Sequence, residues 1–193
     1  MAANNLKLLF ATSNKGKLQE ARHALEPLGF EVESLEIDLT EIQAKQEEVS
    51  KHKALEARKH TRESVLVEDT GFYIDSFNDF PGAYARSVFA GIGPQGILKL
   101  VEGTDRKAHF VSIISYLPAN VIEPLIFKGE CHGTITNRLT NAHPQLPYDM
   151  LFIPDGENRT FGEMSIAEKA KYDHRSKAFK QLAEYLIKSE KEQ

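Results

Sequence analysis

The chain alternates between short apolar runs and helix-periodic stripes, with no internal repeat and no low-complexity linker. Leu6 to Ala11 is a short apolar run, the pattern of a buried strand. Lys15 to Leu28 places Leu18, Ala21, Leu25 and Leu28 on one helical stripe, with Asn14 as N-cap and Pro27 and Gly29 closing it. Phe30 to Ile37 alternates as a strand, and the charged stretch Glu47 to Arg62 reads as an exposed helix. Ser64 to Val67 predicts a strand running into Glu68-Asp69-Thr70-Gly71, with Gly71 as a turn. Phe72 to Phe77 fits a strand or a short helix, Pro81 to Gly93 a loop, and Pro94 to Val101 a short helix with proline in its first turn. Lys107 to Leu117 and Leu125 to Thr136 are long and β-rich, and predict an antiparallel pair that could form a lobe of its own. Ser165-Ile-Ala-Glu168 is a capping box, and Ala178, Phe179, Leu182, Tyr185 and Leu186 stripe a terminal helix. The alternation of strands and helices with one long β pair predicts a mixed α/β fold.

Composition narrows the class. At 193 residues and 41% hydrophobic residues the chain can bury a core. A net charge of -4 gives no support to binding nucleic acid through its backbone. Cys131 is the only cysteine, so no intrachain disulfide forms, which suits a reducing compartment. MAANNLKLLF lacks the apolar core of a signal peptide, and no run approaches the ~18–20 apolar residues of a membrane span. The expectation is a soluble, cytoplasmic protein without membrane partners.

Four constellations carry candidate chemistry. In Thr12-Ser-Asn-Lys-Gly-Lys17, Lys15 and Lys17 fall in the first turn of a helix, where cations are disfavoured. An anion seated there would reverse that cost, because backbone N–H groups, the ammonium groups and the Thr12 and Ser13 hydroxyls could converge on phosphates, with Gly16 clearing the approach. A solvated helix start with its lysines in water fits the same residues. The spacing is not that of a Walker A loop. Glu68-Asp69 would stand at the carboxyl end of a strand, where open α/β sheets bind ligands and where magnesium takes one or two carboxylates plus phosphates. A turn cap at Asp69 is the plainer alternative. Glu41 reads as a solvated acid, and Lys169, Lys171, His174 and Arg175 as a basic, solvated helix face.

Taken in order, these pieces resemble one family, the inosine/xanthosine triphosphate pyrophosphatases. Thr12 to Lys17 resembles its T-x-N-x-x-K phosphate signature, and Leu66 to Gly71 its acidic strand end. Phe80-Pro-Gly-Ala-Tyr-Ala-Arg86 resembles its P-G loop, and Phe127-Lys-Gly-Glu130 with Gly133-Thr-Ile135 its β segment. Phe161-Gly-Glu-Met164, Glu168-Lys169 and His174-Arg175 resemble its carboxyl-terminal pattern. The resemblance implies an elongated α/β molecule, a single domain over 1–193, with a central long mixed sheet and two lobes around a cleft, usually a homodimer. It implies hydrolysis of ITP, dITP and XTP to monophosphate and pyrophosphate with Mg²⁺, and Mn²⁺ accepts the same oxygen ligands.

The roles it implies are as follows. Thr12, Asn14, Lys15 and Lys17 hold the triphosphate, with Ser13, Gly16 and Thr70 counted among the substrate-binding residues and Lys17 also as catalytic. Glu41 and Asp69 position the metal beside Lys53. Asp69 is also the candidate base for the attacking water, a role it cannot fill while tightly ligating metal. Arg86 and Lys169 add positive charge, and His174 and Arg175 hydrogen-bond the base. One segment departs from the family. Gln145-Leu-Pro-Tyr-Asp-Met150 keeps Tyr148 and Asp149 but has Leu146 where an aromatic ring would stack on the purine, and Pro147 where glycine would let the backbone approach. Base–aromatic stacking contributes ~1–3 kcal/mol per base, so the expectation is retained activity on purine triphosphates with relaxed or shifted selectivity. The alternatives are the same reaction on another nucleotide, and a nucleotide-binding module with little turnover.

Overall fold

The computed structural model describes residues 6–141, 143 and 145–191. The first five residues of the amino-terminal segment read above for a leader lie outside them. Strand β1 (Leu6–Ala11) leads into helix α1 (Lys15–Leu25), then β2 (Phe30–Leu35), α2 (Gln46–Ala57), β3 (Val65–Ile74), β4 (Phe80–Gly82) and α3 (Ala85–Leu100). The long strands β5 (Lys107–Leu117) and β6 (Leu125–Ile135) follow, then β7 (Phe152–Pro154), α4 (Ile166–Lys169) and α5 (His174–Lys191). The strands form one mixed sheet in the order β2-β1-β3-β5-β6-β7, with β4 pairing beside β3. β1 runs parallel to β2 and β3, and the remaining pairs are antiparallel.

Beyond the exposed Lys7, β1 is apolar from Leu8 to Ala11 because both its faces are covered there. Leu8 and Phe10 pack under α1 and α5 with Ala21, Leu25, Phe179 and Leu182. Leu9 and Ala11 face the other way, onto Ala54 and Ala57 of α2. A third cluster fills the far ends of β3, β5 and β6, where Phe72, Phe110 and Phe152 meet Ile97 of α3, Val101 just after it, and Phe161.

Several expectations are corrected. The β5–β6 pair exists, but β5 also pairs with all ten residues of β3, so the pair lies within the common sheet and not in a lobe of its own. That pairing carries β3 straight through Glu68-Asp69-Thr70-Gly71. The acids are therefore mid-strand, and Gly71 is extended sheet, not a turn. Both readings of Phe72 to Phe77 apply in part, since β3 ends at Ile74 and a 3-10 turn covers Asp75–Phe77. The segment taken as a loop holds β4 and the first half of α3, because Ala85 to Ala90 contains no breaker. The break comes at Gly93, whose φ of 64° interrupts the helix before Pro94. Helix α2 is not simply exposed: Gln46, Val49, Ser50, Lys53, Ala54 and Ala57 are buried. Its inner face is half polar. Gln46 donates to the carbonyls of Asp69 and Val111 (both 2.9 Å), and Ser50 to that of Ile113 (3.1 Å), so hydropathy alone hides it.

Candidate active site

Two local features open a cleft. β1 pairs with β3 only at Leu9–Val65 and Phe10–Leu66, and beyond that point the chains part. β1 then turns through Thr12 to Asn14 into α1, while β3 carries Glu68, Asp69 and Thr70 onward. The resulting cleft, of about 600 Å³, is lined on one side by Thr12, Ser13, Asn14 and Lys17. Glu41, Lys53, Glu68, Asp69 and Thr70 face them, and Arg86, Phe110, Gln145 to Asp149 and Arg175 complete the wall.

Asn14 is the N-cap of α1, its Oδ1 accepting from the Lys17 N–H at 3.0 Å. Lys15 is exposed, whereas Lys17 turns inward, 2.8 Å from Glu68 Oε2 and 3.3 Å from the Glu68 carbonyl. Burial alone would raise the Glu68 pKa. The Lys17 and Arg175 charges outweigh it and, with the Thr70 hydroxyl, hold the carboxyl down at about 2. Thr70 and Ser112 both donate to Glu68 Oε1, at 2.6 and 2.7 Å.

Across the cleft, Lys53 reaches Glu41 Oε1 at 2.7 Å and Asp69 Oδ1 at 2.8 Å. Glu41 is thus not a plain solvated acid. Burial would raise its pKa, but the Lys53 ammonium more than offsets it. Lys53 is held in its charged form by Asp69 and Glu41 against its own burial. Asp69 caps no turn, and its Oδ2 is buried without a hydrogen-bond partner. An acceptor-only oxygen left bare in the interior is costly, and a cation or a water proton would satisfy it. Carboxylate oxygens of Glu41 and Asp69 are the hard donors that Mg²⁺ takes. The residues therefore fit such an ion, although Lys53 now stands between them.

The basic cluster is not a solvated helix face. α4 ends at Lys169 and α5 starts at His174, so a turn separates them; Lys169, His174 and Arg175 are buried and only Lys171 is exposed. Lys169 bonds Glu20 (2.6 Å) and Asp149 (2.5 Å). Arg175 bonds Glu20 (2.8 Å) and Thr70 (2.8 Å), and its Nε lies 3.4 Å from Glu68. Burial pushes the His174 pKa well below its ordinary value, with Arg175 and Lys169 adding to the effect, so the ring is neutral. It stacks on Phe110 at 4.5 Å and 8°, and neither ring nitrogen has a partner. Gly129 of β6 permits this approach, since a Cβ there would stand 2.0 Å from the His174 carbonyl oxygen.

Lys15, Gly16, Lys169 and His174 do not line the main cleft. Gly16 and Lys169 border a smaller cavity of about 100 Å³ behind it, with Glu20, Leu146 and Phe161. Tyr148 is buried against Phe72 and Phe89, and its hydroxyl donates to the Ala85 carbonyl at 2.7 Å. Leu146 packs on α1, where a Cβ on Gly16 would meet its Cγ at 2.8 Å. Residue-by-residue reading passed over Glu20 and gave Glu68 no role of its own beside Asp69. Their signal was position: Glu20 follows Lys17 by three residues, one helical turn on, and Glu68 adjoins Asp69.

Fold and cleft together define a mixed α/β protein whose charged pocket opens where two parallel strands part. The comparisons then fix the lineage. The chain belongs to the Ham1 family, whose sequence pattern matches residues 8–185. It is 41% identical over 182 residues to a dITP/XTP pyrophosphatase of Methanopyrus kandleri, covering 93% of this chain and 96% of that one. It is 39% identical to the protein of that name from Thermococcus kodakarensis, covering 94% and 97%. Among solved structures, a HAM1 protein from Coxiella burnetii superposes with a TM-score of 0.79 at 27% identity, covering 95% and 99%.

Proposed function

We propose that this protein hydrolyses nucleoside triphosphates of deaminated purines, ITP, dITP and XTP, to monophosphate and pyrophosphate, and so clears them from the nucleotide pool. The observation that carries this reading is the near-full-length likeness to relatives named dITP/XTP pyrophosphatase, at 41% identity for the Methanopyrus kandleri protein. The charged cleft supports it. Lys17 and the N-terminus of α1 hold phosphate oxygens, with Thr12, Ser13 and Asn14 beside them and Lys15 and Arg86 adding positive charge at the rim. Glu41 and Asp69 would hold a divalent ion, Mg²⁺ or Mn²⁺, which would supply charge neutralisation at the phosphates. Asp69 Oδ2 serves the attacking water as proton acceptor or serves the ion, one at a time. The water oxygen bonds to the α phosphorus as the α–β bridge breaks, and pyrophosphate leaves with that bridging oxygen. Arg175 meets the base from the cleft wall beside Asp149, with His174 and Lys169 buried behind them. The whole chain, 1–193, acts as one domain whose two lobes flank the cleft, in the cytoplasm and as a homodimer, without nucleic-acid or membrane partners. No helix among the described residues is long and apolar enough to cross a membrane.

One observation favours a shifted base preference within this reaction. Leu146 lies against Gly16 and Pro147 lacks an N–H, so the loop that meets the purine offers neither a ring nor that donor. The test is a panel of ITP, XTP, dITP, dUTP, GTP and ATP with Mg²⁺, scored for pyrophosphate against orthophosphate. Pyrophosphate release led by ITP and XTP, lost in Lys17→Ala and Asp69→Asn with folding intact, is expected. Orthophosphate as product, or turnover near wild type in both variants, would refute the assignment.

A further inference from the structure

The first turn of α1 is already occupied by another part of the protein. Of the four N–H groups that open a helix without intrahelical acceptors, three have found oxygens. The Lys15 N–H donates to Gln145 Oε1 at 2.5 Å, the Lys17 N–H to Asn14 Oδ1 at 3.0 Å, and the Asn14 N–H to Thr12 Oγ1 at 3.1 Å. That of Gly16 is the one left over among the described residues. Two of these acceptors are local and belong to the cap. The third comes from 130 residues away in the chain. The same residue is tied a second time, its carbonyl accepting from Asn14 Nδ2 at 2.9 Å. Leu146 adds a third contact by filling the space over Gly16. Three successive residues of the phosphate turn, Asn14, Lys15 and Gly16, are thus each engaged by the loop at 145–146.

A side-chain carboxamide oxygen on a helix N-terminus imitates a phosphate oxygen, because both are acceptors drawn by the same N–H dipoles. We propose that Gln145 is a built-in competitor for the phosphate seat: its carboxamide caps the Lys15 N–H, and an entering triphosphate must expel it. The inference rests on the reading of α1 as that seat. A second consequence follows from the shared loop. Expelling Gln145 loosens the segment that carries Leu146 to Asp149, so filling the phosphate corner changes the wall that meets the base. Coupling of this kind is reciprocal. Gln145 is a positioning residue here, acting on affinity through the free energy of the self-capped state.

Tripolyphosphate is the suitable probe, since it fills the phosphate corner without a base. Its affinity is measured by calorimetry with Mg²⁺ present for wild type, Gln145→Ala, Gln145→Glu and Lys17→Ala. A typical hydrogen bond nets about 0.5–1.5 kcal/mol, so Gln145→Ala is expected to bind tripolyphosphate about two- to tenfold more tightly. Gln145→Glu puts a charged acceptor on the same N–H and is expected to bind it more weakly than wild type. Opposite signs are what a merely structural loop residue would not give. Affinity in Gln145→Ala equal to or below wild type would overturn the proposal, as would tighter binding in both variants. Lys17→Ala separates the two levels. If it weakens binding while Gln145→Ala changes nothing, the seat stands and the competitor does not; if it binds as wild type does, the seat is elsewhere and both fall.

Discussion

Replacing Glu68 by glutamine should make the protein less sensitive to acid while making it less stable at neutral pH. Glutamine keeps the shape and can still accept from Thr70 and Ser112, so the change removes charge with little change in packing. In the folded protein the Glu68 carboxyl sits at about 2 against an ordinary value of 4.5, and the group is fully buried between Lys17 and Arg175. At about 1.4 kcal/mol per tenfold change in proton affinity, the ionised form contributes about 3 kcal/mol at pH 7. The sign follows from the depressed value. The contribution is complete above about pH 5 and fades as pH falls from 4.5 towards 2, with about 2 kcal/mol of it gone by pH 3. The assay is urea unfolding of wild type and Glu68→Gln at pH 7, 5, 4 and 3, read as the difference between the two curves. That difference should be about 3 kcal/mol at pH 7 and shrink to about 1 kcal/mol at pH 3. Curves that stay parallel down to pH 3 would refute the idea that Glu68 is ionised and stabilised by its two cations.

Two further outcomes are expected. Gly162→Ala should lower stability by about 3 kcal/mol or more in urea unfolding, because the new Cβ would stand 1.7 Å from the Asn141 carbonyl oxygen, which backbone must move to admit. Leu146→Phe should lower KM for ITP by about fivefold or more if a ring there stacks on the base, while leaving tripolyphosphate affinity within twofold; equal shifts for both ligands would place the effect in the phosphate corner.

Legibility in the sequence followed burial chemistry. β1, α1 and α5 were plain because an apolar stripe makes most of the packing between them, as with Leu8 and Phe10 against Phe179 and Leu182. α2 misled because Gln46, Ser50 and Lys53 bury polar groups against sheet carbonyls and Asp69, so its inner face carries no hydrophobic stripe. The mid-strand position of Glu68 and Asp69 was hidden for a related reason. Nothing local shows that β5 pairs along the whole of β3, and adjacent acids beside a glycine imitate a turn. The turn from Thr12 to Lys17 stands out in the sequence through the oddity of two lysines at a helix start. The tie between that turn and Gln145 does not, since it spans 130 residues and depends on where a loop returns.

The charge arrangement explains why such a site needs more than its own lysines. Lys17, Glu68, Arg175, Glu20, Lys169 and Asp149 alternate in sign along one connected path from the first turn of α1 to the loop at 145–149. Alternation is what lets these groups be buried at all, because each ion is offset by its neighbours. The consequence is that Lys17 and Arg175 arrive already neutralised and have little net attraction left for a polyanion. Lys53 is balanced likewise, between Glu41 and Asp69. Counted over the whole lining, Asp38, Glu41, Glu68, Asp69 and Asp149 stand against Lys17, Lys53, Arg86 and Arg175, five acids to four cations. A triphosphate entering that cleft would meet a formally negative wall. The missing positive charge would have to come with the ligand, and the bare Oδ2 of Asp69 is the oxygen that would hold a cation arriving with it.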